Sequence, residues 1–310
     1  MQAQGPVRAG PPVATALVLT VALALAGCSS GPPVAQAPAP DSRTTTAPPP
    51  TTAPVPPTTS LLATTTVPAT TTPATPAPAT PPPPTAAAPG ARSAAGAVVV
   101  LDPGHNGANG SHPGQVNAPV PDGRGGTKAC NTTGTSTDGG YPEHAFTFAV
   151  ATETARLLQA QGVTVRLTRP DDSGVGPCVD ERAAIGNRAG ADVVVSIHGD
   201  GAAAAGHGFH VAYASPPLDA AQSGPSPSLA RTVRDTLVAD GLTPSTYLGR
   251  EGLDPRADLA GLNLSTQPTV LVELVNMRNS GDAAAATSTA GRTTFARALA
   301  DAVLAWLAAR

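Results

Sequence analysis

Four short polar segments contain the residue types of a metal-dependent hydrolase, at His105, Glu143, His198 and Glu273. Two imidazoles and one carboxylate, with a fourth position left to water, are the ligand set of a catalytic zinc site. A second carboxylate supplies the base, because it can take a proton from the attacking water and return it to a leaving amine. The sequence therefore offers the parts of a zinc hydrolase acting on an amide.

Each of these residues also has an ordinary explanation when taken alone. A single histidine after a strand is more often a hydrogen-bonded core residue, and Glu143 could be an acid favoured by a helix dipole. Glu273 directly follows the apolar run TVLV, where an unpaired carboxylate is costly to bury. The conjunction of the four residues, rather than any one of them, indicates the metal site.

Alternating strand and helix patterns predict the elements that position these residues. Apolar runs at 98–101, 193–197 and 270–272 predict buried strands, and helical spacing of apolar residues predicts a helix over 143–160. We expect a three-layer α/β domain, in which a mainly parallel central sheet is flanked by helices. Ligands bind beyond the carboxyl ends of such strands, so the candidate residues should converge at one edge.

Weaker patterns complete this prediction. Apolar residues at alternate positions predict a strand at 163–167, and a further strand is predicted at 208–213. The remaining helices are predicted from Asp180, as the N-cap, to Ala189, from about Leu229 to Gly241, and at the C-terminus through Trp306.

Composition divides the chain into an unfolded and a folded part. Most of the 36 prolines precede residue 90, and no aromatic residue precedes Tyr141. Such a segment cannot bury enough apolar surface to offset its ordering entropy. We therefore predict a disordered Pro/Thr/Ala tether at 28–96 and a catalytic domain at 97–310. A net charge of −3 with 13% charged residues gives no basic footprint for nucleic acid.

The first residues have the pattern of an export signal. Arg8 precedes an apolar run at 13–26, which is typical of a signal-peptide core and short for a membrane span. The run ends in LAGC, which resembles the bacterial lipobox and predicts a signal peptide at 1–27 and lipidation of Cys28. The alternative is an ordinary signal peptide with Cys28 incidental. The first reading predicts a lipid anchor on the outer face of the cytoplasmic membrane.

The other two cysteines, Cys130 and Cys178, lie in predicted loops of an exported protein. Oxidising compartments favour disulfides. We predict a Cys130–Cys178 bridge, the alternative being two free thiols.

The quoted motifs give the chain a family resemblance over roughly residues 98–310. It resembles the zinc-dependent N-acetylmuramoyl-L-alanine amidases of the amidase-3 type, and in particular their mycobacterial-like members. The motifs are VVLDPGHNG at 99–107, Glu143 opening a helix, LTR at 167–169 followed by Glu181-Arg182, NRAGADVVVSIH at 187–198 and GLNLSTQPTVLVELVNMRN at 261–279.

This resemblance implies roles for single residues. His105, Glu143 and His198 would bind one Zn²⁺, Glu273 would be the catalytic carboxylate, and Arg182 would support the site structurally. The implied reaction is hydrolysis of the amide between N-acetylmuramic acid and L-alanine in peptidoglycan. The neighbouring His144 matches no ligand position.

Some features differ from the family or leave alternatives open. The stretch 106–140 is long for the family and should form a loop beside the site, and Leu274-Val275 follows Glu273 where many relatives have smaller residues. A zinc peptidase or deacetylase acting on another envelope amide would use the same metal chemistry. A catalytically silent or gated wall-binding lipoprotein is the alternative of a different class. A monomer is the default expectation.

Overall fold

The computed structural model describes residues 94–310. The predicted signal peptide, the predicted lipidation site Cys28 and most of the predicted tether at 28–96 lie outside the described residues.

A six-stranded sheet forms the centre of the described part, with the strand order β4-β1-β5-β8-β6-β7. Among the described strands of this sheet, only β6 and β8 pair in the antiparallel direction. The prediction of a mainly parallel sheet flanked by helices is therefore confirmed. In chain order the strands are β1 Val98–Pro103, β2 Pro119–Pro121, β3 Thr127–Ala129, β4 Thr164–Leu167, β5 Val193–Asp200, β6 His210–Ala214, β7 Leu253–Arg256 and β8 Thr269–Asn276.

The helices lie on both faces of this sheet, as the contacts of their side chains establish. They are α1 Pro113–Val116, α2 Glu143–Gln159, α3 Val179–Ala189, α4 Ala220–Ser223, α5 Pro225–Ala239, α6 Ala260–Asn263, α7 Ser280–Thr287 and α8 Thr289–Ala308.

The helices form a thicker layer on one face of the sheet than on the other. One face packs on α2, α5 and α8 in a large core, where the rings of Phe146 and Phe295 meet edge to face at 5.8 Å. On the other face, Val100 and Val194 contact α3 in a small separate cluster. Because side chains alternate along a strand, polar residues of β1, β5 and β8 can point to this thinner side. A cleft lined by polar residues of these three strands lies on this thinner side.

The long segment at 106–140 is ordered and contains local structure of its own. It forms a 3-10 turn at Asn109–Ser111, helix α1 and a separate β2–β3 hairpin. Cys130 is bonded to Cys178 with an S–S distance of 2.07 Å, so the predicted disulfide is confirmed. The bridge attaches the segment to the start of α3, where the N–H of Val179 also donates to the carbonyl of Cys130 at 2.8 Å.

One helix boundary differs from the sequence prediction. Asp180 is not the N-cap of α3, because the helix begins at Val179 and the cap is Cys178, whose side chain makes no capping hydrogen bond. The contacts of Cys178 and Val179 with Cys130 fix the start of the helix two residues earlier than predicted. In the part of the chain that the structure describes, no helix combines the length and apolarity needed to cross a bilayer.

Candidate metal centre and active site

His105 follows the end of β1 in a left-handed backbone conformation, with φ of 59°. This conformation is strained for a residue other than glycine and persists where the surroundings impose it. The guanidinium of Arg182 donates to the carbonyl oxygens of Pro103 and His105, at 2.7 and 2.8 Å. On the imidazole, Nδ1 lies 3.1 Å from the carbonyl oxygen of Thr132. A proton on Nδ1 therefore leaves Nε2 free to bind a metal.

Glu143 opens α2 and is buried, with 4% of its surface exposed. Its Oε1 lies 3.1 Å from His105 Nε2 and 3.0 Å from His198 Nδ1. The backbone N–H of Thr135 donates to its Oε2 at 2.9 Å, and that of Gly199 to Oε1 at 3.1 Å. Burial alone would raise the pKa of Glu143, but the charge and hydrogen bonds of His105 and those of His198 lower it below its ordinary value. Glu143 is thus held as a carboxylate.

Three ligand atoms of His105, Glu143 and His198 lie within 4.8 Å of one another. Neighbouring ligands of a tetrahedral zinc ion are about 3.4 Å apart, since each bond is about 2.0–2.2 Å long. Both imidazoles are already close to this distance from the same carboxylate oxygen. The two rings stand edge to face, 5.0 Å between centroids, as two ligands of one ion can. The donor set and its spacing therefore fit a zinc ion.

Glu273 lies on β8 directly beside His198 on β5. Its carboxyl group lines the same cleft as the three candidate ligands, and its Oε2 is buried without a hydrogen-bond partner among the described residues. Burial raises the pKa of Glu273, and the negative charges of Glu143 and Asp200 raise it further. A cation bound by the three ligands would oppose this shift, because it favours the carboxylate. A carboxyl group poised in this way can take and return a proton.

Asp102 lies under the site and pairs with Arg182 at 2.7 Å. The hydroxyl groups of Ser196 and Thr168 also donate to its carboxylate, each at 2.6 Å. Burial would raise the pKa of Asp102, but Arg182 and these hydroxyl groups lower it to about 2. The carboxylate is therefore the fixed counter-ion of the arginine that holds the His105 turn.

Arg169 is a second buried arginine beside the site, and its side chain has no solvent exposure. Its Nε donates to the carbonyl oxygen of Pro103 at 3.0 Å, and its Nη2 to that of His144 at 2.8 Å. Asp172 balances its charge at 2.9 Å. Arg169 thus joins the end of β1 to the first turn of α2, which are the elements that carry two of the candidate ligands.

The candidate site opens into a cleft of about 520 Å³ on the thinner side of the sheet. The segment at 132–135 and Lys128 of β3 line one part of the cleft, and α3 and α6 supply small and apolar side chains. These include Val179, Ala183, Ala260 and Leu262. A cleft with a polar centre and apolar walls suits a substrate that carries both amide groups and alkyl side chains.

The residues proposed from sequence occupy different positions around this site. His105, Glu143 and His198 converge, Glu273 is adjacent, and Arg182 contacts Asp102 beneath them. His144, the residue after Glu143, is not part of this group of ligands. Its Nδ1 pairs with Asp172 at 2.7 Å. Cys28 lies outside the described residues.

Sequence reasoning assigned no role to Asp102, Arg169 or Thr132, although all three support the ligands. Asp102 directly follows a predicted buried strand, which is a signal that could have identified it. Arg169 likewise follows the strand β4. The contact of Thr132 had no such signal, because it depends on the path of the long loop at 106–140.

Comparison with known proteins gives consistent matches. The sequence profile of the N-acetylmuramoyl-L-alanine amidase family, amidase-3 type, matches residues 99–305. An N-acetylmuramoyl-L-alanine amidase of Mycobacterium tuberculosis is 50% identical over 214 residues, which are 69% of this chain and 88% of the relative.

Two solved structures extend the likeness to the fold. The N-acetylmuramyl-L-alanine amidase from Mycobacterium smegmatis has 49% identity and a TM-score of 0.69, and the match covers 71% of this chain and 100% of that one. The apo form of the amidase from Mycobacterium abscessus has 54% identity and a TM-score of 0.67, covering 69% and 99% of the two chains. The chain therefore belongs to the N-acetylmuramoyl-L-alanine amidase family of the amidase-3 type, as a mycobacterial-like member, and is an enzyme of that class.

Proposed function

We propose that the protein is a zinc-dependent hydrolase of peptidoglycan. In this proposal it cuts the amide between the lactyl group of N-acetylmuramic acid and the L-alanine of the stem peptide. The reaction would serve remodelling or recycling of the cell wall. The family match supports the substrate class, and the arrangement of the site supports the metal.

The observation that carries this proposal is the convergence of four residues in the cleft. His105, Glu143 and His198 bring their ligand atoms within 4.8 Å of one another, and Glu273 stands beside His198 on the next strand. One carboxylate is therefore left over after the metal has been bound. This composition suits metal-assisted hydrolysis of an amide.

The roles of the residues follow from their positions. When bound, zinc polarises the scissile carbonyl and lowers the pKa of water. Glu273 takes a proton from the attacking water and returns it to the alanine nitrogen as the C–N bond breaks. The products are the lactyl carboxylate and a stem peptide with a free amino terminus. Arg182 and Arg169 keep the ligand-bearing segments in place throughout.

The test is incubation of the purified, zinc-loaded protein with muramyl dipeptide and with whole peptidoglycan. Mass spectrometry would follow the products, with Glu273→Gln and a chelator-treated sample as controls. We expect free alanyl peptides from the wild type alone, and recovery of the chelated sample on addition of zinc. Cleavage at a different envelope amide, or turnover that survives complete zinc removal, would contradict the proposal. Binding to purified wall without new amino termini would favour a wall-binding lipoprotein.

We also propose that the protein is exported and anchored through a lipid on Cys28, with 28–96 as a tether. The support is the apolar run at 13–26 and the LAGC sequence that ends it. The tether would hold a monomeric catalytic domain within reach of the wall. Wild type should fractionate with membranes and incorporate a labelled fatty acid, whereas Cys28→Ser should do neither. Equal label in both proteins would contradict the anchor.

A further inference from the structure

A buried histidine that is not a candidate ligand lies next to the candidate base. His210 begins β6, has 2% of its surface exposed and pairs in register with Glu273 on β8. We infer that His210 is a positioning residue for Glu273, and this inference rests on the proposed function. In this role Nδ1 of His210 would donate a hydrogen bond to Oε2 of Glu273, and the other carboxyl oxygen would be held towards the cleft.

The register of the strands brings the two side chains to the same face of the sheet. Residues directly opposite each other in an antiparallel pair have Cβ atoms about 4.5–5.5 Å apart and point the same way. Glu273 lines the cleft on that face. Glu273 on β8 therefore lies between two histidines. His198 is opposite it on β5, and His210 is opposite it on β6.

Each of the two side chains has one buried polar atom without a hydrogen-bond partner among the described residues. These atoms are Nδ1 of His210 and Oε2 of Glu273. Most buried polar atoms in folded proteins are paired, and a buried unpaired atom costs free energy. A donor and an acceptor left unpaired on opposed residues can satisfy each other after a small change in side-chain angle.

The surroundings of His210 leave its proton available for this bond. Nε2 lies 3.9 Å from Oδ2 of Asp254, which is too long for a hydrogen bond. Asp254 is instead paired with Arg256 at 3.2 Å. The ring also meets Tyr247 edge to face at 6.0 Å, which limits its rotation. Asp254 therefore does not take the ring proton, and Nδ1 can carry it.

Burial supports the same assignment. It lowers the pKa of His210, against the opposing charges of Asp254 and Asp200, so the ring is neutral and has one proton to donate. Among the described residues, Arg256 on β7 also acts on the ring, and its positive charge lowers the pKa of His210 as well. Glu273 is surrounded mainly by acids, and a neutral donor can hold its carboxylate without adding a competing ion.

The experiment compares His210→Leu, which removes the donor, with His210→Asn, whose amide can place an N–H near the position of Nδ1. We expect His210→Leu to lower kcat about 10- to 100-fold, the usual effect of losing a hydrogen bond to a charged group, with KM and zinc content unchanged. His210→Asn should recover most of that loss. The matched control is Val211→Ala, which truncates a buried residue of the same strand on the opposite face and should lower stability but not kcat.

Three results would overturn the inference: kcat of His210→Leu within about twofold of wild type, an equal loss of kcat in His210→Asn, or loss of zinc from His210→Leu. The double variant His210→Leu/Glu273→Gln should be no slower than Glu273→Gln, because His210 acts through Glu273. If Glu273→Gln itself keeps wild-type turnover, the proposed function fails. If Glu273→Gln is inactive while His210→Leu is unaffected, only the role of His210 fails.

Discussion

Arg182 and Asp102 form a largely buried ion pair beneath the candidate metal centre, with Nη1 2.7 Å from Oδ1. The same guanidinium donates to the carbonyl oxygen of His105, whose backbone is in the left-handed region. Asp102 therefore neutralises the arginine whose hydrogen bond holds the backbone of His105, a candidate zinc ligand. A change in either partner should affect both stability and the site.

The first prediction concerns acid stability of the apoprotein. The pKa of Asp102 is about 2 in the folded protein against 3.8 as its ordinary value, so the stabilisation is present above about pH 4 and is lost as the pH falls through about 2. This shift corresponds to about 2 kcal/mol. Urea unfolding should therefore find Asp102→Asn less stable than wild type at about pH 5, and the difference should shrink by about 2 kcal/mol at about pH 2. A difference that does not change with pH would contradict the assignment.

The second prediction concerns Arg169 and metal affinity. Arg169→Met removes the link between the end of β1 and the first turn of α2. Outer contacts of this kind typically change metal affinity about 10- to 100-fold, so zinc should bind more weakly by about that factor in a chelator competition. Arg156→Met is the control, because Arg156 lies on α2 but its side chain is 64% exposed and far from the ligand-bearing first turn. Equal affinities in the two variants would remove Arg169 from the support of the site.

The third prediction uses the close packing of Gly104. A Cβ atom at this position would collide with the imidazole ring of His198. Gly104→Ala should therefore displace a candidate ligand and lower zinc content and turnover together. Gly110→Ala is the matched control, since a Cβ atom there meets nothing within 4 Å. Full zinc occupancy in Gly104→Ala, measured by metal analysis, would show that His198 is not a ligand or that the ring has another position available.

The fourth prediction concerns the bridge between Cys130 and Cys178. It closes a loop with a sequence separation of 48, and removing it should lower the free energy of unfolding by about 2–4 kcal/mol. Chemical denaturation of Cys130→Ser/Cys178→Ser would measure the change. Cys28→Ser should unfold like the wild type, because it leaves this bridge intact. A double variant as stable as wild type would mean that hydrogen bonds such as that from Val179 to Cys130 hold the segment without the bridge.

Sequence patterns identified the central strands because these strands are continuous apolar runs. β1 and β5 are buried on both faces, so Val98–Leu101 and Val193–Ile197 carry an unambiguous signal. The strands β2 and β7 carry no such signal, since β2 begins and ends with proline and β7 is LDPR. Proline cannot donate to a ladder, and these short strands are explained by their tertiary neighbours.

The candidate site was predictable only in part for a related reason. His105 and His198 follow strong strands, and parallel strands end at one edge of a sheet. His210 also lies on a predicted strand, but its pairing with Glu273 depends on β6 running antiparallel to β8. The direction of β6 is set by the whole topology rather than by the residues of the strand itself.

The candidate ligands come from three separate parts of the chain, and this has a consequence for biosynthesis. His105 follows β1, Glu143 begins α2 and His198 lies on β5, while Glu273 comes still later on β8. No hairpin or helix pair that forms early in folding contains two of them. The centre can therefore exist only after contacts of long sequence range have formed, which are the slow contacts in folding. A nascent chain that still lacks β8 has no candidate base, so the proposed hydrolysis first becomes possible when β1, α2, β5 and β8 have packed together.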